Sequence, residues 1–172
     1  FSIKMEIYDE RRLKSYLSNI YDYSTNKRKI ILNDKEFNKI SLLKNSLVLL
    51  WISPAMERIF NNSPSYRRMF LDRIVLAFDY VHSDRLNTFD KLLKERTKIL
   101  KEAFNEHDWL DKIEDNLAKY SVAVAAARLD VIHRITDFFE KPVDFFPRGE
   151  IIFKNSIENL LEKKPALEVE SI

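Results

Sequence analysis

The sequence predicts an α+β protein, mostly α, in which a small antiparallel strand-rich N-terminal part is followed by a long antiparallel helical hairpin. Three observations predict it. Residues 1–8 alternate apolar and polar side chains with period two. Two later stretches carry apolar residues at three- and four-residue spacing over many turns. A single glycine, Gly149, and five prolines argue against a sandwich or barrel, whose many tight turns would force positive φ onto costlier residues.

Ile3, Met5 and Ile7 alternate with Ser2, Lys4, Glu6 and Tyr8, the pattern of a half-buried strand. A second strand is expected over Lys29 to Asn33, turning at Asn33-Asp34 into a hairpin through Lys35-Glu36-Phe37. The continuous apolar run Leu47 to Ile52 predicts a third, ended by Ser53-Pro54. Tyr16 to Asn26 is polar and irregular and is expected to be a loop.

From Ser65 onward the period changes. Ser63 is placed to cap a helix with Pro64 at its first position, and Phe70, Ile74 and Phe78, flanked by Leu71 and Val75, form its apolar face to about Tyr80. A second helix begins near Ser83 or Asp84, with Leu86, Phe89, Leu93, Leu100 and Ala103 on its stripe. A third runs from about Asp108 through Leu110, Ile113, Leu117, Tyr120, Val124, Ala127, Val131 and Phe138 until Pro142. The short polar break at Asn105-Glu106-His107 makes the last two fold back on each other, and a helix of about 30 residues extends roughly 45 Å, the length of an arm. Ile151-Ile152-Phe153 is expected to return as a strand, followed by a short helix from Ser156 to Lys163 ended by Pro165. The expected divisions are therefore 1–53 strand-rich, 54–145 helical arm, and 146–172 a returning strand and short helix.

With 172 residues, 45% hydrophobic and 33% charged, the chain is long enough for one core. No apolar stretch approaches the roughly 20 residues that span a bilayer, and no secretory signal opens the sequence, so a cytoplasmic protein with no membrane partner is expected. Zero cysteines exclude disulfides and thiolate metal sites. The net charge of +2 advertises no global basic field. Opening on Phe1 and ending on Ile172, the chain reads as a piece of a longer protein.

The three histidines, His82, His107 and His133, include no pair at i, i+4, so no metal site is expected. His82 and His107 read as solvated helix ends and His133 as packed or partly exposed. No catalytic residue is expected either: there is no glycine-rich phosphate loop, no Gly-x-Ser-x-Gly elbow and no Cys-His arrangement. Arg67 and Arg68 are the most suggestive charges, set about 100° apart on their helix. Arg68 is four residues before Asp72, the spacing of an intrahelical ion pair, while phosphate contact is the functional alternative. Arg96 lies on the apolar stripe between Leu93 and Leu100 and needs an acid from the facing helix, such as Glu114.

Four blocks in order resemble the RecF family. They are the apolar run ending at Ser53-Pro54; Pro64-Ser65-Tyr66-Arg67-Arg68-Met69-Phe70-Leu71-Asp72; Leu92-Leu93-Lys94-Glu95-Arg96-Thr97-Lys98-Ile99-Leu100 followed by Trp109; and Leu117-Ala118 with Arg128, then Phe146-Pro147. Ala55-Met56 replaces the family's usual acidic pair, leaving Glu57 as the nearby acid; Asn62 stands where glycine is common and Thr97 replaces asparagine. The resemblance implies a segment of an SMC/ABC-type ATPase head that dimerises on ATP, binds DNA at single-strand/double-strand gap junctions and helps load a recombinase, with RecO- and RecR-like partners. It implies that the ATPase motifs, and with them ATP and Mg, belong to the intact protein, a weak DNA-dependent ATPase, and that this segment holds no cofactor. Ser53, Pro54 and Glu57 would be nucleotide-adjacent, Arg67 and Arg68 would contact DNA or phosphate, and Asp72, Arg96, Trp109 and Arg128 would build the arm. A helical-hairpin protein-interaction module without DNA binding is the alternative.

Overall fold

The computed structural model describes residues 1–9, 11–37, 48, 50–51, 53–56, 58–102, 107–139, 145, 151–152 and 156–172. The chain divides into two compact units, Phe1–Val48 and Leu49–Ile172.

The first unit is a four-stranded antiparallel meander in the order β1-β2-β3-β4, built from Ser2–Tyr8, Lys14–Asp22, Lys27–Leu32 and Lys35–Phe37. Its register places Met5 opposite Leu17, Leu17 opposite Leu32, and Ile30 opposite Phe37. Leu17 and Ile30 are buried, with Ile7, Leu32 and Phe37 packed around them. The opposite face is polar, with cross-strand ion pairs Lys14 to Glu6 at 2.6 Å and Lys29 to Glu36 at 3.5 Å. Asn33 and Asp34 have φ of 47° and 67°, the two positive values that a two-residue hairpin turn needs to match strand twist, and Asn and Asp tolerate them best after glycine.

The stretch 16–26, expected as a loop, is corrected. Most of it is β2, an inner strand paired on both sides. Its polar look is misleading because Tyr16, Ser18 and Ile20 alternate with Leu17, Asn19 and Tyr21, and β1 and β3 together satisfy its backbone groups. Only its end turns: the Asp22 carboxylate accepts from the Ser24 and Thr25 hydroxyls at 2.6 and 2.9 Å. Those bonds, with the Ser24 N–H, hold the Asp22 carboxyl down at about 2.

The strand expected over Leu47 to Ile52 is also corrected as far as it is described. Val48, Leu50 and Trp51 lie in no strand and are 52%, 57% and 55% exposed; among the described residues no strand follows β4, and an apolar residue without a ladder partner is in no strand. Leu47, Leu49 and Ile52 lie outside the described residues.

In the second unit, short 3-10 turns at Pro54–Met56 and Ile59–Asn61 lead into α1, Pro64–Phe78. The Ser63 hydroxyl accepts the Tyr66 N–H at 3.3 Å, with Pro64 at the first helical position, where no N–H is needed. Replacing Ser63 with alanine is expected to cost about 1 kcal/mol, read as a lower urea midpoint at unchanged slope. After α1, Asp79 turns the chain: its carboxylate accepts the Val81 N–H at 3.1 Å and holds Arg85. Burial alone would raise the Asp79 carboxyl, but these bonds lower it.

The helix α2, His82–Glu102, and the 33-residue α3, His107–Phe139, form the expected antiparallel hairpin, with Arg96 late in α2 meeting Glu114 early in α3. At 1.5 Å per residue α3 is about 50 Å long. Its buried Ile113, Val122, Val124, Ala125, Val131 and Ile132 make it the spine of the unit, and α1, α2, α4 and α5 all pack on it. The helices α4, Ser156–Leu161, and α5, Ala166–Glu170, follow.

Two further expectations change here. Ile151 and Ile152 form no strand, and Phe153 lies outside the described residues. Pro165, expected only to end a helix, also opens α5, because its fixed φ of −59° suits a helix start and its carbonyl accepts from Glu168 and Val169. The Phe146-Pro147 exit lies outside the described residues. Among the described residues no helix is long and apolar enough to cross a membrane.

Candidate functional site

Asp72, in the middle of α1, is buried at 9% exposure and is the centre of the unit's polar chemistry. Arg128 of α3 donates to it bidentately, Nε to Oδ1 at 2.7 Å and Nη2 to Oδ2 at 2.8 Å. His82, the first residue of α2, stands with Nε2 2.9 Å from the same Oδ1, so Nε2 carries the proton that a carboxylate can accept. Three helices are joined at one carboxylate. Burial by itself would push the Asp72 carboxyl up, but the bonds from His82 and Arg128 hold it below its ordinary value.

His82 is therefore not the solvated helix end expected from its neighbours. It is fully buried, because the turn at Asp79 reverses the chain and carries residue 82 back against residue 72. Its Nδ1 is buried without a hydrogen-bond partner among the described residues. So are both carboxylate oxygens of Glu158, on α4. Burial raises the Glu158 carboxyl against the opposing pull of its own backbone N–H and the Arg128 charge, with the Asp72 charge adding to the rise.

The intrahelical Arg68 to Asp72 pair does not form. Asp72 faces inward to Arg128 and His82, while exposed Arg68 donates Nη2 to Ser65 Oγ at 3.2 Å. Arg67 points back along the chain and donates Nη1 to the Asn62 carbonyl at 2.7 Å and the Phe60 carbonyl at 3.3 Å, tying the turn before α1 to its first turn. Arg73, further along α1, lays its guanidinium 4.3 Å over the Trp51 ring, and its buried Nη1 has no hydrogen-bond partner among the described residues.

In the turn 53–56, the Ser53 N–H faces Met56 Sδ at 3.4 Å, the Met56 N–H bonds the Ser53 carbonyl at 2.8 Å, and Met56 is buried. Glu57 lies outside the described residues. Among the described residues of this turn, 53–56, the Ser53 and Met56 N–H groups are both turned inward to partners within the turn. Arg96 Nε donates to Glu114 Oε1 at 2.7 Å, half-exposed on the hairpin. Trp109, near the start of α3, is 47% exposed, as is Leu100 at the end of α2. Among the described residues no cluster of His, Asp and Glu could hold a metal ion.

Sequence reasoning reached Asp72 by its spacing from Arg68, with the wrong partner, and Arg128 only through the resemblance, and it missed the burial of His82 and Glu158. Asp72 and Arg128 are 56 positions apart, and no local pattern signals such a pairing.

No family model matches the chain. It is 35% identical over 164 residues to the DNA replication and repair protein RecF of Rickettsia typhi, covering 91% of this chain and 44% of that protein. To RecF of Brucella suis it is 32% identical over 145 residues, covering 83% of this chain and 38% of the relative. The chain thus spans less than half the length of these relatives. Among solved structures, it resembles the recombination mediator protein RecF determined as RecF-ATP, with a TM-score of 0.66 and 18% identity over 99% of this chain and 51% of that one. A second, the RecF-ATPrS structure, gives a TM-score of 0.68 and 18% identity over 80% of this chain and 38% of that one. The sequence identity and the order of strand meander and long helical hairpin lead to one conclusion: over the segment it spans, this chain belongs to the RecF family.

Proposed function

We propose that the chain serves in a RecF-like DNA replication and recombinational repair protein that binds DNA and ATP and helps load recombinase at single-strand gaps. The observation that carries this reading is the 35% identity over 164 residues to a relative named for DNA replication and repair. In this reading residues 1–53 belong to the ATPase-head lobe, 54–145 form the arm and 146–172 return toward the head. The intact protein works in the cytoplasm as an ATP-dependent homodimer with RecO- and RecR-like partners, and its ATP and Mg are held by motifs outside this segment. Ser53, Pro54 and Glu57 lie near the nucleotide only in that larger assembly. Asp72, Arg96, Trp109 and Arg128 are structural residues of the arm.

Arg67 and Arg68 are the proposed phosphate contacts. Arg67 already donates to two backbone carbonyl oxygens, so Arg68, which among the described residues donates to one serine hydroxyl, is the freer of the two. The test is binding of a gapped DNA duplex to the chain, followed by fluorescence anisotropy from 50 to 200 mM salt. Affinity is expected to fall steeply with salt, and Arg68→Ala is expected to weaken binding and flatten the log-log slope by about 1. A specific observation favours the alternative, a helical-hairpin module that docks a protein and not DNA: Leu93, Leu100 and Trp109 on α2 and α3 are 44%, 47% and 47% exposed. Absence of DNA binding at 50 mM salt, together with binding of a RecO- or RecR-like protein, decides for it.

A further inference from the structure

The helices α4 and α5 are six and five residues long, too short to hold themselves as helices in water. They persist because they pack on α3. Their buried side chains among the described residues are Glu158 and Val169, so one of the anchors is a carboxyl group 1% exposed. Beyond the pull of its own backbone N–H, which falls short of a hydrogen bond in geometry, neither Glu158 oxygen has a hydrogen-bond donor among the described residues. The cation nearest in effect, Arg128, already spends two bonds on Asp72, and the Asp72 charge repels a second carboxylate. A neutral carboxyl group fits this seat far better than an ionised one.

We propose that α4 and α5 form a proton-operated latch on α3, seated when the Glu158 carboxyl is protonated and loosened when it ionises. The groups around the latch set its sign. From α3 and α1 the charges acting on Glu158 are Arg128 and Asp72, one favouring ionisation and one opposing it. His82 of α2 is bonded to Asp72 and so leans on the same node. On α5, the exposed Glu168 is engaged by Lys164 at 2.6 Å. A second contact spans the seam: exposed His133 of α3 lies 4.0 Å from Glu162, just past α4.

The direction follows from linkage. A carboxyl that holds its proton more tightly when docked than when free leaves docking unaffected below its free value, about 4.3. Docking then weakens as pH rises from there to the docked value, by at most tenfold per pH unit for one proton. Ionisation loosens the latch without unfolding the α2–α3 hairpin, which does not depend on it.

Amide hydrogen exchange of the 172-residue chain between pH 4.5 and 8 tests this, with peptides from 156–170 compared with peptides from 110–130 after correction for intrinsic rates. Protection in 156–170 is expected to fall about tenfold as pH rises, while 110–130 stays level. In Glu158→Gln the fall disappears. In Glu162→Gln it remains, which separates the buried carboxyl from the exposed His133 contact. A flat profile in the wild-type chain overturns the proposal, as does a slope that survives in Glu158→Gln. Should Glu158→Gln fail to fold by circular dichroism, a carbon-13 titration of the Glu158 carboxyl in the wild-type chain decides. Titration at or below an ordinary glutamate overturns the latch, and titration above it supports it.

Discussion

Arg128→Met is expected to lower the unfolding free energy by about 3–5 kcal/mol, because it strips a bidentate guanidinium from a carboxylate that stays buried. For a chain at the low end of the usual range of about 5–15 kcal/mol, that is enough to populate unfolded molecules at room temperature. The measurement is a urea midpoint at pH 7. Asp72 loses two charge-assisted hydrogen bonds in the variant, and among the described residues only His82 is left bonded to it. The pH dependence carries a second check. The Asp72 carboxyl is held below its ordinary value, so its contribution is present above the unfolded value, about 3.9, and is lost as pH falls through the folded value. The wild-type and variant stabilities are therefore expected to converge as the pH drops from 5 toward 3. A gap that stays constant over that range would mean that Arg128 acts through packing and not through Asp72. Removing both partners, Asp72→Leu with Arg128→Met, is expected to cost less than Arg128→Met alone, since no buried charge is then left unpaired.

Ile113→Ala is the second large effect, about 2–5 kcal/mol by loss of buried methylenes and the cavity that follows. Ile113, 3% exposed, lies in the part of α3 that meets α2 near the Arg96 to Glu114 pair. The links that fix α1 and the α4 region to α3 lie further along, at Arg128, His133 and Arg134. The loss should accordingly be uneven. Amide exchange is expected to accelerate most in 92–102 and 107–118 and least in 122–132, where Val122, Val124, Ala125, Val131 and Ile132 remain buried together. Uniform acceleration along α3 would show that the hairpin and the rest of the unit open as one cooperative block.

The two variants separate two kinds of stabilisation in one helix. Arg128 acts through a polar node and is sensitive to acid. Ile113 acts through burial, carries no charge, and should show the same destabilisation from pH 5 to 8.

The contrast between residues legible and illegible in the sequence follows the range of the forces. The start of α1 is a local matter: a serine oxygen reaching an N–H three residues on, and a proline where no N–H is needed, are visible in Ser63-Pro64 without any fold. The turn at Asn33-Asp34 is equally local, since it depends on which residues tolerate positive φ. The pairing of α2 with α3 needs only two apolar stripes and a short break, and Arg96 on its stripe called for an acid close by. Arg67 and Arg68 were visible as charges, but their carbonyl and hydroxyl partners were not.

What the sequence by itself determined, then, was the α+β class, the caps and turns, the long hairpin and the family, because each depends on neighbours in the chain or on motif order. The tertiary structure alone decided that 14–22 is a strand, since a strand is stabilised by ladders on either side and its own residues were ambiguous. It alone decided that Asp72 turns from Arg68, four residues away, to Arg128, 56 residues away, and that His82 and Glu158 are buried beside them. The physical reason is that burial removes water as the competing partner. A charge on a solvated helix face is satisfied by whatever is near, whereas a buried one selects the partner that the packing of α1, α2, α3 and α4 brings within reach.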